Sequence, residues 1–369
     1  MNNPPNEINV MLVDDSAVIR GALTRMLESS EHIKIVKSVA DGSMGVAAAK
    51  IAQPDIVILD IEMPVMDGLT ALPKIIEAAP KTKVIMFSSL TEKGATVTMK
   101  AMQLGAVECL VKPSSSQEVG AGSEFHQQLV KLIESLAPKK PIEMSAPANQ
   151  QKPGTLTPPS PESLISGEFS LYNDGMSYKG KPRVVAIGSS TGGPQALFNV
   201  LKSCVGFDIP IVITQHMPAT FTKILAEHIE QQTGIKAQEG QTGMRLEAGQ
   251  AYVAPGGFHM LFEHKDEQLT IKLDEGPAIN FCKPAVDPMF DSIVGIHGEK
   301  VLGVILTGMG HDGRDSCKRL VEKRGRVIAQ DEKTSVVWGM PGATAQANIC
   351  SAVLPIDEIG PWIKKAVMG

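Results

Sequence analysis

Residues 183–194 read RVVAIGSSTGGP: a short apolar run, Val184 to Ile187, that feeds straight into a turn of glycine, serine and threonine. An apolar run of this length bounded by turn formers is consistent with a buried strand. Gly188, Gly192 and Gly193 then permit a tight backbone, so Ser190 is expected on a sharp strand-to-helix turn at the carboxyl edge of a sheet. Outward from this stretch the pattern recurs. Downstream lie Ile211 to Thr214, Ala251 to Ala254, a polar-edged hairpin around Met260 to Leu273, Val301 to Thr307, and Val327 to Ala329. Upstream, the runs Ile8 to Val13, Ile33 to Val39, Ile56 to Leu59, Val84 to Phe87 and Val107 to Val111 alternate with helix-like stretches such as Ala17 to Glu28, Gly42 to Ala52 and Gly68 to Ala79. Strands alternating with helices predict parallel sheets with crossover helices. The expected class is therefore α/β, twice over, without an internal repeat.

The two units are separated by residues 138–182, where eight prolines fall in 45 positions with no apolar periodicity, which reads as a linker. With 369 residues and 43% hydrophobic content, the chain has ample apolar surface for two cores. The net charge of -5 is spread over both halves: 12 Lys+Arg against 16 Asp+Glu in residues 1–137, and 19 against 20 in residues 181–369. Neither half offers a basic nucleic-acid surface. The five cysteines show no CxxC spacing, which argues against a disulfide framework or a structural zinc site. No basic segment leads into an apolar stretch at the start, and no apolar run approaches membrane-spanning length, so a cytoplasmic protein without membrane insertion is expected.

Ligands of open parallel sheets collect outside the carboxyl ends of the strands. Asp14 and Asp15 end the first apolar run, Asp60 ends the third, and Lys112 ends the fifth. Converging carboxylates repel one another unless a hard cation neutralises them, and magnesium suits such an oxygen site. Lys112 adds a positive charge fitted to an incoming phosphoryl group. The motifs VDDS, LDIEMPVMDG, FSSLT and VKP, in that order, resemble the receiver domain of bacterial response regulators. The resemblance implies a flavodoxin-like (βα)5 receiver over residues 8–137, with Asp60 as phosphoryl acceptor and a sensor histidine kinase as phosphodonor. It implies Mg2+ held by Asp15, Asp60 and the backbone carbonyl of Glu62, with Asp14 acting through water. Ser88 and Lys112 would bind the phosphoryl oxygens, and the Lys112–Pro113 peptide is often cis in such domains. Cys109 departs from the pattern, because an aromatic switch residue usually stands three places before the lysine. Met63-Pro64 and Asp67-Gly68 read as loop-shaping residues.

The G-x-S-x-G pattern around Ser190 also suits phosphate binding at a helix N-terminus, but no lysine follows as in a P-loop and the spacing is not GxGxxG. A serine hydroxyl needs a base to take its proton. His216 follows the run Ile211 to Thr214 in ITQHMP, whereas His228 lies in a helix-like stretch and His264 in a hairpin. The orienting carboxylate is expected from LTGMGHDG, as Asp312, with adjacent His311 a rival base. The order Ser, His, Asp differs from the Ser, Asp, His order of standard α/β-hydrolases, so a separate hydrolase lineage is expected.

The ordered motifs GSSTGG, ITQHMP, YVAPGG-H, LTGMG-DG and GMP resemble the catalytic domain of the chemotaxis protein-glutamate methylesterases. That resemblance implies a doubly wound, mainly parallel α/β hydrolase-type domain with an antiparallel hairpin over residues 182–369, joined to the receiver by a flexible linker, residues 138–181. It implies a triad of Ser190, His216 and Asp312, with Thr191 and Met309 lining the substrate and oxyanion region. The implied substrates are methyl-accepting chemotaxis receptors, whose glutamate methyl esters are hydrolysed and glutamines deamidated, with no cofactor for the esterase reaction. His311 stands where the motif commonly has Asn. Met217, Met260 and Met309 read either as an apolar rim or as core. A non-catalytic scaffold and a small-molecule esterase are the competing readings.

Overall fold

The computed structural model describes residues 7–88, 92–112, 123–137, 169–172, 180–266 and 268–369. The N-terminal unit runs β1 (Ile8–Val13), α1 (Ala17–Leu27), β2 (Ile33–Val39), α2 (Gly42–Ala52), β3 (Ile56–Asp60), α3 (Gly68–Ala78), β4 (Lys83–Ser88), α4 (Glu92–Gln103), β5 (Glu108–Val111) and α5 (Glu124–Leu136). Its strands are all parallel, in the order β2-β1-β3-β4-β5. Side-chain caps start the first three helices: Ser16 Oγ accepts from Ile19 N, Asp41 Oδ1 from Met44 N, and Asp67 Oδ1 from Thr70 N. Because the strand order reverses between β1 and β3, the carboxyl ends of those strands open a crevice, and Asp14 and Asp60 stand at its edge. Pro113 and the Ser89-Leu90-Thr91 part of FSSLT lie outside the described residues, and so does the expected cis peptide.

The C-terminal unit runs β6 (Val184–Ser189), α6 (Gly193–Leu201), β7 (Ile211–Gln215), α7 (Ala219–Thr233), β8 (Lys236–Glu239), β9 (Gln250–Val253), β10 (His259–Lys265) and β11 (Gln268–Asp274). It continues with α8 (Val286–His297), β12 (Val301–Ile305), α9 (Arg314–Glu322), β13 (Arg326–Gln330), α10 (Met340–Gln346), β14 (Ala352–Leu354) and α11 (Ile356–Met368). Seven strands form one parallel sheet in the order β14-β13-β12-β6-β7-β9-β8. The β10-β11 hairpin is a separate antiparallel pair. The edge strands β8 and β14 escape sequence reading, because KAQE has no apolar run and AVL is too short for a periodicity. Each face of the sheet carries its own buried cluster: Val185, Ile187, Ile213, Val304 and Ile328 point to one side, and Val184, Ala186, Val212, Ile305 and Val327 to the other. The chain crosses from one side of the sheet to the other between β6 and β12, so the switch point lies at the end of RVVAIGSS.

The two units share apolar packing. Met99 of α4 is fully buried within the C-terminal cluster that includes Leu197 and Leu225, and Val337 joins the receiver-like cluster of Phe87 and Leu129. Residues within the expected linker also make contacts. Phe169 packs 6.3 Å from the Trp338 ring, and Tyr172 N donates to Cys350 O at 2.8 Å. Phe290 is fully buried on α8 against the sheet. Phe290→Ala is expected to lower unfolding free energy by about 3–5 kcal/mol through lost burial and a residual cavity; urea denaturation of the full chain checks this.

Candidate active site and phosphorylation pocket

Strands β6 and β7 pair in register through Ser189 and Gln215, so the next residue on each, Ser190 and His216, emerges at the same sheet edge. Gln215, buried to 1% exposure, fixes the two strand ends together. Its Oε1 accepts from Ser189 Oγ at 2.7 Å, and its Nε2 donates to Ser190 O at 2.9 Å and His216 O at 3.2 Å. A Cβ at Gly193 would meet Gln215 Oε1 at 1.9 Å, so only glycine lets the turn pass this carboxamide. Gly192, with φ of +76°, turns the chain into α6.

Asp312 arrives from the loop after β12 and is buried to 2% exposure. Its Oδ2 lies 2.8 Å from His216 Nε2 and accepts from Val286 N at 2.6 Å. Its Oδ1 accepts from Asp287 N at 3.1 Å and Gly313 N at 3.0 Å. Two of these donors are the first amides of α8, where the positive end of the helix favours a carboxylate. Burial pushes the Asp312 carboxyl up, but the His216 bond, the imidazole charge and the backbone amides outweigh it and hold it below its ordinary range. His311 beside it is exposed where Asp312 is buried, so the two neighbours diverge on the loop.

The second ring nitrogen, His216 Nδ1, lies 3.3 Å from Cys282 Sγ. Burial alone would lower the imidazole pKa; the bonds to Asp312 and Cys282, with the negative charge those groups can carry, push it up to about 10. Both ring nitrogens are therefore engaged, and the Ser190 hydroxyl has no hydrogen-bond partner among the described residues. The three expected residues are thus gathered at one edge, with the His216–Asp312 link made and the Ser190–His216 link not made. The amides of Thr191 and Met309 likewise have no partner among the described residues. Met260 is fully buried core, Met217 packs against the cluster beneath α7, and Met309 packs at the boundary with the N-terminal unit.

That boundary closes over the serine turn. Gly192 N donates to Val107 O at 3.2 Å, and Gln195 Nε2 donates to Met102 O at 2.8 Å and Ala106 O at 2.6 Å. Glu108, the first residue of β5, lies beside Thr191 and accepts from Cys109 N at 3.0 Å; burial pushes its carboxyl up, offset only in part by Thr191, that amide and the nearby His216. Gln103 Nε2 donates to His228 Nδ1 at 3.0 Å, which places His228 on the interdomain surface rather than in the site. Gln215, Cys282, Glu108 and the α8 N-terminus were not singled out from the sequence. Gln215 alone carried a signal, since it stands inside ITQHMP.

In the N-terminal crevice, Asp14, Asp15 and Asp60 bring carboxylate oxygens within 4.8 Å of one another. Lys112 Nζ lies 2.7 Å from Asp60 Oδ2 and 3.0 Å from Asp14 Oδ2. Burial raises the Asp60 carboxyl, partly offset by the Lys112 bond and charge. One lysine against three carboxylates leaves an excess of negative charge on hard oxygen donors, a set that fits a divalent cation. Ser88 and Glu62 line the same cleft, of about 320 Å3, with Asp15, Asp60 and Lys112. Cys109 fills the place of the expected aromatic: its thiol lies 3.2 Å from Thr98 Oγ1 on α4, and burial pushes it up to about 12.

Two family models match the chain, a response regulator receiver domain over residues 10–121 and CheB methylesterase over residues 185–363. A protein-glutamate methylesterase/protein-glutamine glutaminase 1 from Paramagnetospirillum magneticum is 49% identical, over 98% of this chain and 96% of that protein. One from Azospirillum brasilense is 48% identical, over 97% and 92%. The crystal structure of the Thermotoga maritima CheB methylesterase catalytic domain is similar at 36% identity, over 51% of this chain and all 100% of that one, with a TM-score of 0.49.

Proton release from His216 sets two expectations. Because its folded pKa is raised, the charged pair with Asp312 stabilises the fold fully below about pH 6.5. That stability is lost as pH rises through about 10. The thermal midpoint should therefore fall across this window more steeply in the parent than in Asp312→Asn. Ester hydrolysis by the full chain should rise with pH as the ring becomes neutral, and Cys282→Ala should move that midpoint down toward the ordinary imidazole range. A pH–rate profile with the same midpoint in both proteins would show that the thiol does not hold the proton.

Proposed function

The chain belongs to the CheB methylesterase family, with a response regulator receiver domain ahead of the esterase, and we propose that Ser190, His216 and Asp312 form its catalytic line. It is a protein-glutamate methylesterase/protein-glutamine glutaminase, a carboxylic ester hydrolase of chemotaxis adaptation. The observation that carries the assignment of residues is the buried Asp312 carboxylate bonded to His216 at the strand end adjoining Ser190.

In the open enzyme, with Nδ1 released from the Cys282 thiol, neutral His216 takes the Ser190 proton at Nδ1 as Oγ attacks the γ-carbonyl of the glutamate methyl ester. Asp312 stays ionised and stabilises the imidazolium that forms. The Thr191 and Met309 amides donate to the oxyanion, typically worth a factor of about 10²–10³ for one such donor. His216 then returns the proton to the departing methoxide, methanol leaves, and water attacks the acyl-enzyme with His216 again as base. On a glutamine side chain the same steps release ammonia. The chemistry needs no cofactor. Replacing Ser190 by Ala in the full chain is expected to abolish methanol release from methylated receptor membranes, while Asp312→Asn lowers turnover by about 10⁴. Methanol release by Ser190→Ala at the parent rate would sink the triad.

The switch resides in residues 8–137, with residues 182–369 catalytic and the sensor histidine kinase as phosphodonor to Asp60. Mg2+, when bound, would neutralise the carboxylates and incoming phosphoryl oxygens at Asp15, Asp60 and the Glu62 carbonyl, with Asp14 acting through water. Lys112 and Ser88 would then bind the phosphoryl group. Strand β5 is the element both sites share: Lys112 follows it, and Val107 and Glu108 at its start cover the serine turn. A phosphoryl group on Asp60 changes what Lys112 pairs with and so shifts β5, withdrawing Val107 and Glu108. About 2.7 kcal/mol of bias suffices for a hundredfold change in rate. A phosphodonor should raise methanol release by the full chain and leave Asp60→Asn at its resting rate; equal stimulation of both would refute gating through this aspartate.

A further inference from the structure

Residues Ile279–Cys282 form a two-residue hairpin. Ile279 N donates to Cys282 O at 3.0 Å, and Cys282 N donates back to Ile279 O at 2.8 Å. The central residues Asn280 and Phe281 have φ of +52° and +64°, the left-handed pair of a type I′ turn. Asparagine tolerates that conformation; a bulky aromatic does not, and glycine is the residue this second position favours. Phe281 receives nothing in return from the core, since it is 83% exposed, and Ile279 beside it is 36% exposed. A residue that strains its backbone and packs against no core does not serve folding.

Its position says what it does serve. The next residue, Cys282, places its thiol 3.3 Å from His216 Nδ1, so the hairpin adjoins the catalytic line through its last residue. The loop is braced from beneath by buried His259, whose Nε2 lies 3.0 Å from Pro277 O and whose Nδ1 accepts from Ala285 N at 3.2 Å. Lys283 Nζ donates to Glu275 O at 2.8 Å. The hairpin is also continuous with the interdomain boundary, because Lys131 of α5 reaches to 5.9 Å from the Phe281 ring centre. That distance is at the outer limit of a cation–π contact and leaves the ring open.

We propose that the Ile279–Cys282 hairpin is the substrate-docking element of the esterase, with Phe281 as an aromatic anchor for an apolar side chain flanking the methylated glutamate of the receptor. The inference rests on the proposed catalytic line for the place of that glutamate. Exposed aromatic anchors of this kind carry a large share of binding energy in protein recognition. Because Phe281 is open while Glu108 and Val107 still cover the serine turn, docking precedes gating: the resting enzyme already holds its receptor.

The test separates anchoring from folding by the sign of two effects. Phe281→Asn in the full chain keeps the turn and removes the ring, so its thermal midpoint should stay level or rise. With a phosphodonor present, its KM for methylated receptor in native membranes should rise about tenfold or more, and its kcat should stay within about twofold of the parent. Phe281→Trp should restore KM. In a Ser190→Ala background, Phe281→Asn should weaken co-sedimentation with the same membranes equally with and without phosphodonor. An unchanged KM, a fall in kcat alone, or a lowered midpoint would overturn the proposal, as would weakening seen only with the phosphodonor. Ser190→Ala retaining turnover would instead overturn the catalytic line and leave the docking result standing.

Discussion

The Asp312 carboxylate depends on main-chain amides for its place, and the active site depends on Asp312. Three backbone N–H groups hold it, two of them from the first turn of α8, before His216 completes the set. A buried carboxylate without such donors would take up a proton and cease to orient an imidazole. With them it stays charged and fixes which ring nitrogen it holds, leaving the other against the Cys282 thiol. The α/β architecture supplies this directly, because the same switch point that opens the crevice also brings the ends of β6, β7 and β12 to one edge.

Much of this was legible in the sequence because it is local. Apolar runs ended by Asp14, Asp60, Ser190 and His216 name strand ends, and strand ends of a doubly wound sheet converge whatever lies between them. The choice of His216 over His311 as base rested on the same reasoning, and the structure leaves His311 exposed. What was not legible is non-local. Cys282 reaches His216 across 66 residues, through a hairpin with no hydrophobic periodicity, and Glu108 reaches Thr191 across a domain boundary. Strands β8 and β14 were missed for a related reason, since edge strands draw on pairing rather than on an apolar pattern. Gln215 was in view within ITQHMP, yet nothing local distinguishes a glutamine that clamps two strand ends from one that faces solvent.

The two sites are joined by packing as well as by one strand. Met99 of α4 is buried in the esterase cluster, and Cys109, standing where an aromatic is usual, ties its thiol to Thr98 of the same helix. A small thiol cannot swing between buried and exposed positions as a ring does, so the proposed gating relies on β5 and α4 moving as bodies. The pairing of Lys112 with both Asp14 and Asp60 at the far end of β5 is the charge arrangement that a phosphoryl group would rearrange.

The bond from Gly192 N to Val107 O has a genetic corollary. Both partners are main chain, so no exchange of one side chain for another deletes it. On the proposed gating, screens for permanently active enzyme would therefore recover side chains that hold β5 in its seat, such as Gln195, Met99 or the buried Val107, rather than the bonded amide and carbonyl.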